Sequence, residues 1–273
     1  MSTARPATIG GRLARLGFHD PTRAERLLAD SVLAGLTDPL DHVFEDDLLL
    51  DLGESPDPDL ALVGLVRVME SLRAVGRLDP DDPAVVQADA PHLLQAIRVG
   101  GPLRHRLLAV LGSSVALVDH LARHPAHWAV LRDDDPPTAE QLRADLLRAV
   151  RADPDDAAPV AQVGGVVAHD RLRVAYRRRL LSLAARDLSC PHPTAVLPAV
   201  GRELADLAAA ALEAALAIAR ADLPPDAAPC RFAVIGMGKC GGRELNYVSD
   251  VDVIFMGRVL RLLRLVHRLE VDF

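Results

Sequence analysis

The hydrophobic period of this chain changes once, just past Asp222–Pro225, and that change limits the fold more than any other feature. Up to about residue 222 apolar residues recur at helical spacing. Leu13, Leu16, Leu27 and Leu28 flank a turn at Gly17–Pro21, and Thr22–Leu36 resumes the three-to-four period. Leu62, Leu65, Val66 and Met69 repeat it within Leu60–Val75, and Leu103–Trp128, Leu142–Val150, Asp170–Leu188 and Ala195–Ala221 are further predicted helices. The breaks are acidic and rich in proline: Glu54–Asp59, Asp79–Pro83, Asp133–Pro137 and Asp153–Asp156. No internal repeat and no sustained heptad pattern is present, which points to an irregular helical domain and not a coiled coil. Past Pro225 the spacing becomes that of strands. Phe232–Ile235 is a short apolar run, glycines follow, and Val251–Phe255 alternates. The expected fold is therefore mainly α: a helical domain over 1–225, then an incomplete α+β domain over 226–273.

Composition fixes the material of the core. Hydrophobic residues make up 50% of the chain and aromatics only 3%, so the core must be built from Leu, Val and Ala. The net charge of −7 argues against general DNA binding, which needs a basic surface. Three cysteines without paired spacing, Cys190, Cys230 and Cys240, read as reduced thiols of a cytoplasmic protein. Met1–Gly10 has no apolar h-region, so no signal peptide is expected. The most apolar stretch, Leu204–Ile218, contains Asp206 and Glu213, which makes it a helix in water and not a bilayer span. Lys239 is the only lysine and Asn246 the only asparagine, and both fall in the same short segment. A chain that has drifted toward Arg and Ala keeps such residues where their chemistry has no substitute.

That segment runs from Phe232 to Phe255. Asp250 and Asp252 stand two apart on an expected strand, so both carboxylates face one side while Val251, Val253 and Phe255 face a core. Two carboxylates there suit Mg²⁺, which takes one or two carboxylates plus substrate phosphates, and a metal pair would stabilise both oxygens of an in-line phosphoryl displacement. Gly236, Gly238, Gly241 and Gly242 let backbone approach a polyphosphate. Lys239 can neutralise phosphate charge, and Asn246 and Ser249 can donate to phosphate or sugar oxygens. Phe232–Met237 and Val251–Phe255 are expected to pair as antiparallel strands, with no helix of more than about two turns between them, since glycines and Asn disfavour helix. The helices should cover the apolar face of this small sheet, which is unstable alone.

Two other phosphate motifs use the same glycines. Gly236, Gly238 and Gly241 match the dinucleotide fingerprint G-x-G-x-x-G after a strand, which would make the chain an NAD-binding oxidoreductase. That fold needs a helix after the glycines and a crossover of a dozen or more residues, whereas Gly242 and Asn246 interrupt any helix. A P-loop fails at Ala233 and at Cys240, which stands where Ser or Thr should hold the metal.

The segment Gly236–Phe255 resembles the glutamine synthetase adenylyltransferase/adenylyl-removing enzymes, members of the polymerase-β-like nucleotidyltransferases. Leu13–Ala24 is similar to the start of their actinobacterial versions, and Arg106–Ser113, His120–Pro125 and Leu172–Arg179 match in order, so the resemblance covers residues from about 11 to 256. It implies one of two catalytic copies. The N-terminal copy removes AMP from a tyrosine of glutamine synthetase by phosphorolysis, releasing ADP; the C-terminal copy attaches AMP from ATP. Glu244, Leu245 and Asn246 resemble the removing copy. The implied partners are glutamine synthetase, nucleotide, phosphate and the PII signal protein, and an inactive fragment that only binds glutamine synthetase or PII is the alternative of another class.

The departure from the family lies after Phe255, where its members continue for several hundred residues. Here 256–273 reads as an aberrant tail after truncation or internal deletion, which would cripple catalysis; it is a basic amphipathic stretch of Arg258, Arg261, Arg264 and Arg268 with Leu260, Leu263 and Val266. Glu270–Asp272 resembles the strand that carries the family's third carboxylate, which makes Asp272 a further metal ligand by resemblance. Elsewhere, His120, His124 and His127 lack a fourth ligand for zinc. Cys190–His192 reads as a loop, and Arg177, Arg178 and Arg179 read as a solvated helix face.

Overall fold

The computed structural model describes residues 8–33, 47–75, 90–224 and 231–257. The helices are α1 (Ile9–Arg15), α2 (Pro21–Leu28), α3 (Asp47–Glu54), α4 (Pro58–Val75), α5 (Ala90–Val99), α6 (Pro102–Leu111), α7 (Val115–Arg123), α8 (Ala139–Ala149), α9 (Gly165–Leu188) and α10 (Pro193–Ala221). A strand β1 (Phe232–Gly236), a single turn α11 (Gly238–Gly241) and a strand β2 (Val253–Gly257) follow. Short 3-10 segments lie at Ser31–Leu33 and Pro125–Arg132. Among the described residues the chain is thus mainly helical with one small sheet. It forms two compact units, Met1–Asp134 with Ala184–Ser189, and Asp135–Leu183 with Cys190–Phe273. Among the described residues no helix is long and apolar enough to cross a membrane.

The first unit is built around α4. Leu62, Leu65 and Met69 have no exposed surface, and Val66 is buried with them, as their spacing requires. Gly64 lets other helices approach, since a Cβ there would stand 3.1 Å from Val118 and 3.2 Å from Leu111. The helix expected over Leu103–Trp128 is broken twice. Gly112 caps α6, and Ser114 starts α7 by accepting from the Leu117 amide at 3.3 Å. Pro125 then ends α7 and opens a 3-10 segment. Likewise Thr22–Leu36 is not one helix. It stops at Leu28, and the Asp30 carboxylate accepts from the Val32 amide at 2.8 Å to start a 3-10 turn. Helices α3 and α5 have no counterpart in the expected set.

The second unit packs α8 and α9 against α10. Leu142, Leu146 and Leu147 meet Ala210, Ala211, Ala214 and Ala215, small side chains that bring the backbones close. A capping box fixes the start of α8: Thr138 accepts from the Gln141 amide at 3.2 Å while Gln141 accepts from the Thr138 amide at 2.8 Å. The Arg143 guanidinium on α8 grips Glu213 of α10 through two bonds of 2.8 and 2.7 Å. The arginine run is not simply a solvated face, because Arg179 pairs with Asp145.

The strands form an antiparallel pair with Phe232 opposite Gly257 and Ile235 opposite Ile254. Phe232 and Phe255 stack at 5.8 Å and pack against the alanine-rich core, so helices cover the sheet's inner face. The expected antiparallel hairpin is present, with one helical turn inside it. It is not the βαβ unit of a dinucleotide fold. One boundary differs: β2 starts at Val253 and not at Val251. The basic segment Arg258–Arg268, Pro225, Asp79–Pro83 and Asp272 lie outside the described residues.

Candidate functional site

The glycine turn follows β1 directly. Met237 is extended and its carbonyl accepts from the Gly241 amide at 2.9 Å, which closes one helical turn. Gly242 caps it. The Arg243 amide then donates to the Cys240 carbonyl at 3.2 Å and the Glu244 amide to the Lys239 carbonyl at 2.8 Å, a complete Schellman stop. The left-handed position of that stop is occupied not by glycine but by Arg243, at φ 57. An L-residue there costs about 1–2 kcal/mol. The Arg243 guanidinium donates to both carboxylate oxygens of Asp206 on α10, at 2.7 and 2.5 Å, which ties the stop to the helix.

Gly241 is required by close approach: a Cβ there would stand 2.4 Å from the Gly236 carbonyl oxygen. Gly238 is required by conformation, with φ at +51. Gly201 on α10 lets the following loop dock, since its Cβ would lie 3.3 Å from the Leu245 carbonyl. Leu245 and Cys240 are buried with Leu204 and Ala208, so the loop is anchored at its middle.

Asp250 and Asp252 lead into β2 without belonging to it. The Met237 amide still donates to the Asp252 carbonyl at 2.8 Å, extending the strand pairing one step beyond β2. Both aspartates are exposed, and Val251 between them packs against the Cys240–Leu245 cluster. The alternation of exposure expected of a strand therefore persists just outside it. An Asp252 carboxylate oxygen lies 3.3 Å from where a Gly238 Cβ would stand, so a side chain at 238 would crowd it. Burial, reinforced by the Asp252 charge, pushes the Cys240 thiol above its ordinary value.

The remaining residues of the segment divide. Lys239, Gly242 and Asn246 line one groove of about 560 Å³ with Arg202 of α10. Gly241 lines a different hollow of about 550 Å³ with Asp206, Val234 and Arg243. Ser249 is half-buried beside Asp250 and lines neither. Sequence reasoning missed Gly201, Arg202 and Asp206 as neighbours of the loop. Asp206 carried a signal, as one of two charges, with Glu213, in the alanine-rich stretch Leu204–Ile218.

The histidines form a separate cluster. The rings of His120, His124 and His127 have centroids 5.0 to 5.4 Å apart, and a nitrogen of His120 lies 2.9 Å from one of His127. Among the described residues no three His, Cys, Asp or Glu side chains converge to hold a metal ion.

The profile of the glutamate-ammonia ligase adenylyltransferase family matches residues 104–259, which takes in α6 to β2 and the glycine turn. The chain belongs to this family. Among its relatives, the bifunctional glutamine synthetase adenylyltransferase/adenylyl-removing enzyme of Streptomyces avermitilis is 47% identical over 258 residues, covering 93% of this chain and 22% of that protein. The enzyme of the same name from Streptomyces coelicolor is 47% identical, covering 94% and 22%. That of Mycobacterium avium is 44% identical over 264 residues, covering 94% and 24%. The chain thus spans less than a quarter of these members' length. No solved structure matches it.

Proposed function

We propose that this chain carries the adenylyl-removing site of the family, in a polymerase-β-like nucleotidyltransferase fold acting on adenylyl-tyrosine of glutamine synthetase. The observation that carries the reading is the hairpin geometry. Two exposed carboxylates, Asp250 and Asp252, stand beside a glycine turn, with an Asp252 oxygen 3.3 Å from the Cβ position of Gly238. The donor set fits Mg²⁺, a hard cation that takes one or two carboxylates and completes its shell with phosphate oxygens and water. Asp250 and Asp252 would hold it, with Asp272 as a third carboxylate. When bound, the ion supplies charge neutralisation on the transferring phosphoryl group.

The chain's own groups position and polarise. The first amides of α11 have no partner within so short a turn, which leaves them as candidate donors to a phosphate oxygen. Lys239 and Asn246 add a cation and an amide, and Ser249 adds a hydroxyl beside the carboxylates. A phosphate oxygen bonds to the adenylyl phosphorus as the bond from that phosphorus to the tyrosine oxygen breaks. The proton carried by hydrogen phosphate ends on the tyrosine. Catalysis of this kind is mainly positioning and electrostatics. Nucleotide, phosphate and glutamine synthetase are its partners, with PII as the candidate regulator and the cytoplasm as its compartment.

The test is ADP release from adenylylated glutamine synthetase by the full chain with phosphate and Mg²⁺. Slow release is expected, and Asp250→Asn or Asp252→Asn should reduce it further, by about a hundredfold or more, the scale of a lost transition-state contact. Binding of the modified synthetase without release would contradict the reading and leave a protein that only docks.

A further inference from the structure

We propose that Arg202 of α10 joins Lys239 of the glycine turn in a groove that holds the orthophosphate of the reaction, with Asp250 and Asp252 not among its lining residues. The inference rests on the functional reading above and deepens it. The groove holds about 560 Å³ and lies between α10 and the loop that follows the turn, with Leu197, Gly201, Arg202, Lys239, Glu244 and Asn246 on its walls. Its width is set by Gly201, whose missing side chain lets the Leu245 carbonyl approach to where a Cβ would be 3.3 Å away. Arg202 is the next residue, exposed and lining the groove.

The charges in the groove are unbalanced. In the same unit Arg143 is paired with Glu213, Arg179 with Asp145 and Arg243 with Asp206. Arg202 and Lys239 have no ion-pair partner among the described residues, although the chain carries a net charge of −7. Two unpaired cations opening onto one concave space repel each other, and a dianion between them turns that repulsion into attraction. Guanidinium is suited to the task because its planar fork meets two oxygens of a tetrahedral oxyanion at once. The Asn246 amide adds a neutral donor on the same wall.

Orthophosphate fits better than the phosphate chain of a nucleotide. A nucleotide polyphosphate is drawn to the carboxylates and their metal, and neither Asp250 nor Asp252 lines this groove. Free phosphate needs cations alone. Glu244, on the same walls, opposes the binding by its charge, so its removal should act in the opposite direction.

The experiment is a calorimetric titration of the full chain, without metal, against orthophosphate, with ADP and AMP as comparison ligands. Arg202→Ala is expected to weaken orthophosphate binding about tenfold, the size of one charge-assisted hydrogen bond. Arg202→Lys should keep part of the affinity and Glu244→Gln should raise it. Because Arg202 is exposed, its variants should retain the wild-type melting temperature. The proposal is overturned if orthophosphate does not bind the wild-type chain, or if Arg202→Ala leaves its affinity unchanged. It is also overturned if that variant weakens ADP while sparing orthophosphate, which would make the groove a nucleotide site. If phosphate binding depends on Arg202 but the wild-type chain releases no ADP from the modified synthetase, the groove stands and the functional reading falls. If ADP release depends on Asp252 and not on Arg202, with phosphate affinity also unmoved, the functional reading stands and the groove falls.

Discussion

Gly241 and Gly236 look equivalent in the sequence, and the structure separates them. A methyl group on Gly241 would stand 2.4 Å from a backbone oxygen that cannot yield, whereas one on Gly236 would meet the Cys240 sulfur at an ordinary 3.5 Å. Gly241→Ala should therefore lower stability by about 1–3 kcal/mol, the usual cost of overpacking, while Gly236→Ala should be close to neutral; thermal melts of the two variants compare them directly. The thiol of Cys240 offers a second measurement at this scale. Burial comes first among the causes that raise its pKa, and the Asp252 charge adds to it. The folded chain thus keeps this proton to higher pH than the unfolded chain, so its contribution to stability is present at neutral pH and is lost as pH rises through the folded value. Asp252→Asn should move the pH profile of Cys240 alkylation to lower pH, followed by mass spectrometry. An unmoved profile would contradict the placement of Asp252 beside the thiol.

At the scale of elements, the link between α10 and the glycine loop is the feature that spacing could not reveal. The helix itself was legible, because its alanine and leucine period runs without interruption from Leu204 to Ile218. Its two charges stood out, yet nothing in the local sequence says that Asp206 holds Arg243 and Glu213 holds Arg143, since the partners are 37 and 70 residues away. The broken helices were missed for a different reason. Apolar spacing carries across Gly112–Ser114 and past Pro125, while capping decides where a helix ends. The tie at Asp206 compensates a strained backbone, and that gives a test. Asp206→Ala should cost about 1 kcal/mol or less, as expected of a part-exposed ion pair. Adding Arg243→Gly should then restore stability, because glycine removes the left-handed penalty of about 1–2 kcal/mol. Denaturant titration of the double variant against the single one measures this; a double variant less stable than Asp206→Ala would contradict it.

For the whole molecule, the change of period near Pro225 correctly announced helices followed by a small antiparallel sheet, and the glycine segment correctly announced a turn too short for a dinucleotide fold. The sequence offered the candidate site as a list of residues and not as an arrangement. Spacing put Asp250 and Asp252 on one side, but the division of Lys239 and Asn246 from Gly241, and the arrival of Arg202, depend on how the loop docks on Gly201. The central claim is that this arrangement transfers an adenylyl group to phosphate. The most direct measurement supplies isotopically labelled orthophosphate to the full chain with Mg²⁺ and adenylylated glutamine synthetase, then identifies the labelled product. Phosphorolysis predicts the label in the terminal phosphate of ADP, lost in Asp252→Asn. Release of unlabelled AMP, the product of hydrolysis, would contradict it.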